Sequence, residues 1–192
     1  MAGQALTTAP RAAYAHFSKA QVLRAQRRYA DAIPEYEAAL SANANWVTAL
    51  HFLAYCKLYT GLIEEAIQLD EQNIRLSRRD PAIFSWYRQI GLVHLAQSRT
   101  SEAVIWLEKA RSTAPVHPNV RAQLAAACAL AGKPERAAAE FAEARRLSGD
   151  DRYSSLARLR AVENYEGMAP ELRALFETAY YAGLHKAGVP EE

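Results

Sequence analysis

A chain of 192 residues, 51% of them hydrophobic, can bury a continuous core, and 23 basic against 21 acidic side chains leave a formal charge of +2. That balance argues against nucleic acid or an anionic membrane as partner, and no apolar run approaches the ~20 residues needed to cross a bilayer. Strand-like alternation is absent, which points to an all-α chain.

Residues 1–10 read as a small, polar, flexible lead ending at Pro10, a residue suited to the first turn of a helix. Two helices follow, Arg11–Arg24 and Tyr29–Leu40, joined at Gln26-Arg27-Arg28. Asn43 stands near a helix C-terminus, where asparagine tolerates the left-handed conformation. A second pair spans Trp46–Tyr59 and Ile63–Ser77 around a turn at Thr60-Gly61, with polar Asp70 and Asn73 at positions that call for an aromatic and an alanine. Asp80-Pro81 predicts the next helix start, with Asp80 as N-cap and Pro81 in the first turn. Pro118 and Pro134 repeat the device for the two helices of the fourth pair. Ser148-Gly149-Asp150-Asp151 is a stop, and Tyr153, Leu156, Leu159 and Val162 follow at shorter apolar spacing. The last helix starts at Pro170 and sets Leu172, Leu175, Phe176, Ala179, Tyr180, Gly183 and Leu184 on one face, before Gly188 and Pro190 end it.

A repeat runs through these elements. Ala32, Ala66, Ala103 and Ala137 recur with steps of 34, 37 and 34 residues, the three extra ones falling around Arg78-Arg79-Asp80-Pro81. The clearest copy is Tyr87–Pro115, in which Tyr87, Ile90, Gly91, His94, Ala103, Leu107 and Pro115 stand at the spacing of a helix-turn-helix repeat of about 34 residues. This pattern resembles the tetratricopeptide repeat. It implies that Ala20, Ala54, Gly91 and Ala125 on each first helix cross the four alanines on each second helix, with Tyr36, Leu40, Leu107 and Phe141 filling the seams. The expected fold is therefore an α-solenoid of stacked helix-turn-helix repeats. Four repeats cover 11–149 (about 11–45, 46–80, 81–117 and 118–149), and 150–192 supply helices that cap the exposed end of the core.

Chemistry-bearing motifs are missing. No phosphate-cradling glycine loop or nucleophile elbow occurs, and His16, His51, His94, His117 and His185 are scattered without a second ligand at helical spacing. No catalytic residue, cofactor or metal site is expected, and the chain reads as a non-enzyme. Asp150-Asp151 suits a solvated turn, and the pairs Arg27-Arg28, Arg78-Arg79 and Arg145-Arg146 sit near helix ends, where cations complement the macrodipole. Cys56 and Cys128 fall on the first helices of repeats two and four, too far apart to be bridged. Two unpaired thiols suit a reducing compartment. With no positive n-region and apolar run at the start, the expected location is cytoplasmic.

In repeats of this kind the first helices line a concave groove, so their residues not needed for packing are candidates to bind a protein or peptide. These are Tyr14, Phe17, Gln21 and Arg24; Thr48, His51, Tyr55, Leu58 and Tyr59; Ser85, Arg88, Gln89 and Leu92; and Asn119, Ala122, Gln123 and Ala126. Tyr14, Phe17, Gln21, His51, Tyr55, Tyr59 and Arg88 form the candidate site, because clustered aromatics with a cation suit recognition. Packing of the aromatics against residues 1–10, or homo-oligomer formation through the N-terminal end, are the alternatives. Some domains of the family hold chaperone tail carboxylates with a Lys/Asn constellation. Phe17 and Gln21 stand at those positions, so that function is not carried over.

Longer strings, among them ADAIPEYEAAL, CKLYTGLIEEAI, IGLVHLAQSRTSEAVIWLEKAR, AAAEFAEARRLSGDDRYSS and FETAYYAGLHKAGVPEE, resemble the C-terminal repeat region of bacterial class III adenylate/guanylate cyclases. An all-helical chain of this length leaves no room for their α/β catalytic domain. That resemblance implies a regulatory module of a cyclase system and brings no catalytic residue with it.

Overall fold

Helices account for most of the described backbone. The computed structural model describes the backbone of residues 2–163 and 167–192 and the side chains of 11–163 and 167–192. Four helix pairs run in chain order: α1 (Ala2–Ala25) with α2 (Tyr29–Ala42), α3 (Val47–Tyr59) with α4 (Ile63–Leu76), α5 (Ile83–Ala96) with α6 (Thr100–Thr113), and α7 (Pro118–Leu130) with α8 (Pro134–Ser148). Then come α9 (Leu156–Glu163), α10 (Pro170–Phe176), a π-helical turn (Glu177–Tyr181) and α11 (Ala182–Lys186). No strand occurs among the described residues. The fold class is that of an α-solenoid of helical repeats.

The chain divides into two compact units, the first formed by Met1–Arg79 with Glu166–Ala169, the second by Asp80–Tyr165 with Pro170–Glu192. In each, small residues let paired helices approach closely. Ala20, Ala32, Ala54, Ala66, Ala103, Ala125 and Ala137 are fully buried, and Gly91 is buried with them. Tyr36, Leu107 and Phe141 are buried in the seams as the repeat implies.

Every pair is closed by the same turn. Arg27, Gly61, Ser98 and Gly132 occupy one repeat position, and all take the left-handed conformation, with φ of 61°, 85°, 60° and 72°. In the first pair Arg28 N–H donates to the Leu23 carbonyl and Arg27 N–H to that of Arg24, both at 2.9 Å, and the other three pairs repeat these two bonds. This double bond pattern satisfies carbonyls that a helix end leaves open. Two of the four positions carry side chains, which disfavour this conformation by roughly 1–2 kcal/mol. Ser98→Gly is therefore expected to stabilise the second unit by about 0.5–1 kcal/mol, net of the added freedom of glycine in the unfolded chain. Urea denaturation checks the sign.

Several boundaries differ from the sequence reading. The first helix opens at Ala2 rather than Arg11, while Met1 lies outside the described residues. Asp80 is not the N-cap of α5, which is Ala82. Asp80 instead closes a turn before the helix, its Oδ1 accepting from Ala82 N–H at 2.8 Å. Asn43 is extended rather than left-handed, at φ −151°, and its side chain accepts from Asn45 N–H at 3.1 Å. Val162 is half exposed near the end of α9, while Leu156 and Leu159 of the same helix are buried.

Both cysteines are free and fully buried. Burial pushes the Cys56 thiol up to about 12 and raises that of Cys128 as well. Since the thiolate is the reactive form, neither should react with an aromatic disulfide reagent at pH 8 in the folded chain. Both should react in guanidinium, and rapid native labelling would contradict the burial. Among the described residues, no helix is long and apolar enough to cross a membrane.

Candidate functional site

In the first unit the exposed side of α1 and α3 carries a chain of aromatic contacts. Phe17 stacks on Trp46 at 4.5 Å, and Tyr14, 64% exposed, meets the same indole edge-on at 5.0 Å. Beneath them Tyr36 is fully buried, with Phe17 at 6.0 Å and Phe52 at 6.3 Å. The Arg24 guanidinium lies 4.3 Å above the Phe52 ring, a cation–π contact that leaves the charge near the surface. Gln21 ties this floor together, its Oε1 accepting from Arg24 Nε at 3.0 Å and from the Tyr36 hydroxyl at 3.1 Å. Gln21 thus braces the surface rather than offering a free amide. Burial, followed by the neighbouring Cys56, pushes the Tyr36 phenol up to about 12, so it stays a hydrogen-bond donor at neutral pH.

His51 is held from behind by the two residues that depart from the repeat pattern. Asp70 and Asn73 are both fully buried on α4. Asp70 Oδ1 lies 3.7 Å from His51 Nδ1. The Asn73 amide, oriented to suit its neighbours, donates to the Val47 carbonyl at 3.2 Å and accepts from His51 N–H at 3.1 Å. Burying a carboxyl and an amide is costly unless each is satisfied. Here both are directed at the first turns of α3, which fixes where His51 and the adjoining Phe52 ring, 5.3 Å away, can point.

The remaining aromatics form a second cluster that is already engaged. Tyr55 stacks on Tyr59 at 4.3 Å, and Tyr29 lies 4.8 Å from Tyr59 and 5.8 Å from Tyr55. Burial, with Tyr55 beside it, pushes the Tyr29 phenol up to about 12. Residues 167–169 cross the end of this cluster: Met168 is buried, and Ala169 N–H donates to the Tyr59 carbonyl at 2.8 Å. Gly167 takes φ +82°, and a Cβ there would sit 2.8 Å from the Arg27 carbonyl oxygen and 3.1 Å from the Tyr29 ring. The first unit therefore holds a short turn, Gly167–Ala169, next to Tyr29 and Tyr59.

In the second unit the first helices are covered. Asn119 accepts from the Tyr153 hydroxyl at 2.8 Å, and Ala122 and Ala126 are fully buried. Arg88 is half-buried, and burial, followed by the Glu163 charge, raises the Tyr153 and Tyr180 phenols. Of the seven candidate residues, Tyr14 and Phe17 meet on Trp46, Gln21 joins them through Tyr36, and His51 adjoins Phe52. Tyr59 adjoins the 167–169 stretch and Tyr55 packs on Tyr59 and Tyr29 behind it, while Arg88 lies in the second unit. Sequence reasoning missed Trp46, Phe52 and Tyr29. Trp46 reads as the opening of a repeat, and an aromatic there could have been noticed as reaching back across the preceding helix.

A further cleft of about 470 Å³ opens between α2, α3 and α4 over Leu53 and Leu69. Lys57 at its wall is neutralised by Glu65 at 2.7 Å and Glu37 at 3.0 Å.

Comparison with known proteins agrees with this architecture. Residues 13–45 match the tetratricopeptide repeat family. No curated protein matches. Among solved structures the chain is similar to YrrB, described as a TPR protein with an unusual peptide-binding site, at 18% identity and a TM-score of 0.62 over 96% of this chain and 94% of that one. It is also similar to TTC0263, a thermophilic TPR protein of Thermus thermophilus, at 23% identity and 0.63 over 92% of each. PilF of Pseudomonas aeruginosa gives 20% identity and 0.69 over 95% of this chain and 82% of that one. These likenesses establish a repeat fold of the TPR type.

Proposed function

We propose that the chain is a non-catalytic scaffold that binds a partner protein or peptide through the face of α1 and α3 bearing Tyr14, Phe17, Gln21, Arg24, Trp46 and His51. The observation that carries this reading is the exposed Tyr14 ring and its Phe17–Trp46 stack on a braced, polar-rimmed floor. Rigid aromatics of this kind contribute contact area at low entropic cost and are enriched at recognition surfaces. The peptide-binding site described for YrrB supports it by analogy of fold. Buried free thiols suit a reducing compartment, and the cytoplasm is the location we propose.

The test is a photo-crosslinking residue at Tyr14, followed by identification of the adducts from host lysate. Adducts that disappear in Phe17→Ala and His51→Ala chains of equal helicity support the face. Adducts to the chain itself would favour homo-oligomer formation through the N-terminal end, and adducts indifferent to both substitutions would remove the face as the site. A second reading names a class III cyclase as the partner and rests on the resemblance of the strings from ADAIPEYEAAL to FETAYYAGLHKAGVPEE. Cyclic nucleotide synthesis by such an enzyme, unchanged on adding the purified chain, would end it.

A further inference from the structure

The cleft over Leu53 and Leu69 shares no residue with the face of α1 and α3. Its walls come from the second helices α2 and α4, and α3 supplies only Leu53 and Lys57, both buried. At about 470 Å³ it falls within the range of about 300–1,000 Å³ typical of pockets that hold ligands. One side of α4 forms its length. Glu65, Gln68, Leu69, Gln72 and Arg75 line it at i, i+3, i+4, i+7 and i+10, the spacing of a single helix face. Charge is separated along that track, with an acid at its start, amides and a leucine in the middle and a base at its end. At a rise of 1.5 Å per residue, Glu65 and Arg75 stand about 15 Å apart along the helix axis.

The acidic end carries an uncompensated charge. Lys57 Nζ lies 2.7 Å from Glu65 Oε2 and 3.0 Å from Glu37 Oε1, so one buried ammonium faces two half-exposed carboxylates and one negative charge is left over. Burial by itself would lower the Lys57 ammonium, yet its hydrogen bonds to Glu65 and Glu37 raise it above the ordinary lysine value. The negative field in this corner therefore outweighs the cost of burying a cation. Lys57 engages one oxygen of each carboxylate, which leaves Glu37 Oε2 and Glu65 Oε1 for a second donor. A guanidinium suits them better than another ammonium, because its planar fork can donate to two carboxylates while its aliphatic stem lies on leucine. At the opposite end Arg75 is exposed, and its ion pair with Glu71 is long at 3.9 Å.

We propose that this cleft binds an extended segment of a partner protein, with an arginine held by Glu37 and Glu65 and an acidic residue held by Arg75. Side chains of an extended chain alternate, and it advances about 3.3 Å per residue, so the first, third and fifth residues of a stretch share one face and span about 13 Å. That span, with the reach of the end side chains, meets both charged ends and sets the third residue over Leu53 and Leu69. The motif is arginine, any residue, leucine, any residue, glutamate. Gln68 offers an amide that can both donate to and accept from the backbone of the segment.

The test titrates the isotope-labelled full chain with the end-blocked peptide Arg-Thr-Leu-Thr-Glu and follows backbone amide shifts. They should centre on Leu53, Lys57, Gln68 and Leu69. Shifts centred on Tyr14, Phe17 and Trp46, or none at millimolar peptide, would overturn the proposal. Gln-Thr-Leu-Thr-Glu should bind roughly ten-fold more weakly, the weight of one charge-assisted hydrogen bond, and a Glu65→Gln chain of equal helicity should lose about five-fold toward the arginine peptide. Undiminished affinity in either case counts against the cleft. Lys57→Met removes the internal cation that shares the two carboxylates, so it should tighten binding about three-fold, a gain that general loosening of the helices does not produce. Unchanged or weaker binding at wild-type helicity would sink the charge argument, and if that variant loses helicity the half-exposed Glu65 decides. Phe17→Ala should leave the affinity as it is, so this cleft and the α1–α3 face stand or fall separately.

Discussion

Tyr36→Ala is expected to cost the first unit about 3–5 kcal/mol, the range for truncating a large buried aromatic. Tyr36 is fully buried between Phe17 and Phe52, so its removal leaves a cavity beneath the aromatic face as well as in the seam between α2 and α3. Tyr36→Phe keeps the ring and gives up only the hydroxyl that donates to Gln21, a loss of about 1 kcal/mol. Urea denaturation followed by circular dichroism separates the two. If alanine costs no more than phenylalanine, the ring does not hold up the face. The proposed binding face should weaken in step with stability only for the alanine variant.

Gly91→Val is the second large effect. A Cβ at Gly91 would stand 2.7 Å from Leu107 Cγ, 3.1 Å from its Cδ2 and 3.2 Å from its backbone nitrogen. Leu107 is fully buried and cannot swing away without opening the α5–α6 contact. Overpacking of this kind typically costs 1–3 kcal/mol, and a β-branched side chain in a helix crossing places the expected loss near about 3 kcal/mol. Gly91→Ala is the instructive control, because its gain of about 1 kcal/mol in helix propensity opposes a smaller clash. A thermal scan in which valine is tolerated as well as alanine would show that the helices can separate at no cost, against the close crossing described above.

The alanine ladder made the pairs legible, since Ala20 with Ala32 and Gly91 with Ala103 are set by local spacing. The turn after each first helix was legible where glycine marks it, at Gly61 and Gly132. At Arg27 and Ser98 the same left-handed geometry is enforced by the helix pair despite the side chain. The aromatic face was read in part. Tyr14, Phe17 and His51 follow from groove positions, whereas Trp46, Phe52 and Tyr29 join them through contacts between helices that spacing does not reveal. Asp70 and Asn73 read as faults in the pattern, and only their positions behind α3 show them to be braces for His51.

By itself the sequence determined the helical class, the repeat period, the residues at each crossing and the start and stop of most helices, because these depend on neighbours within a turn or within one helix pair. Where the C-terminal helix docks was decided by tertiary structure. Its apolar stripe is legible from Leu172 to Leu184, but an apolar stripe requires only some apolar surface, and covering the end of a stack or filling a groove would satisfy it equally. Close contact between Gly183 and Ala126 fixes one side of the helix on α7, and Tyr181, under the Arg160 guanidinium at 4.7 Å, fixes the other on α9. That placement is a matter of shape between residues far apart in the chain, which periodicity does not encode.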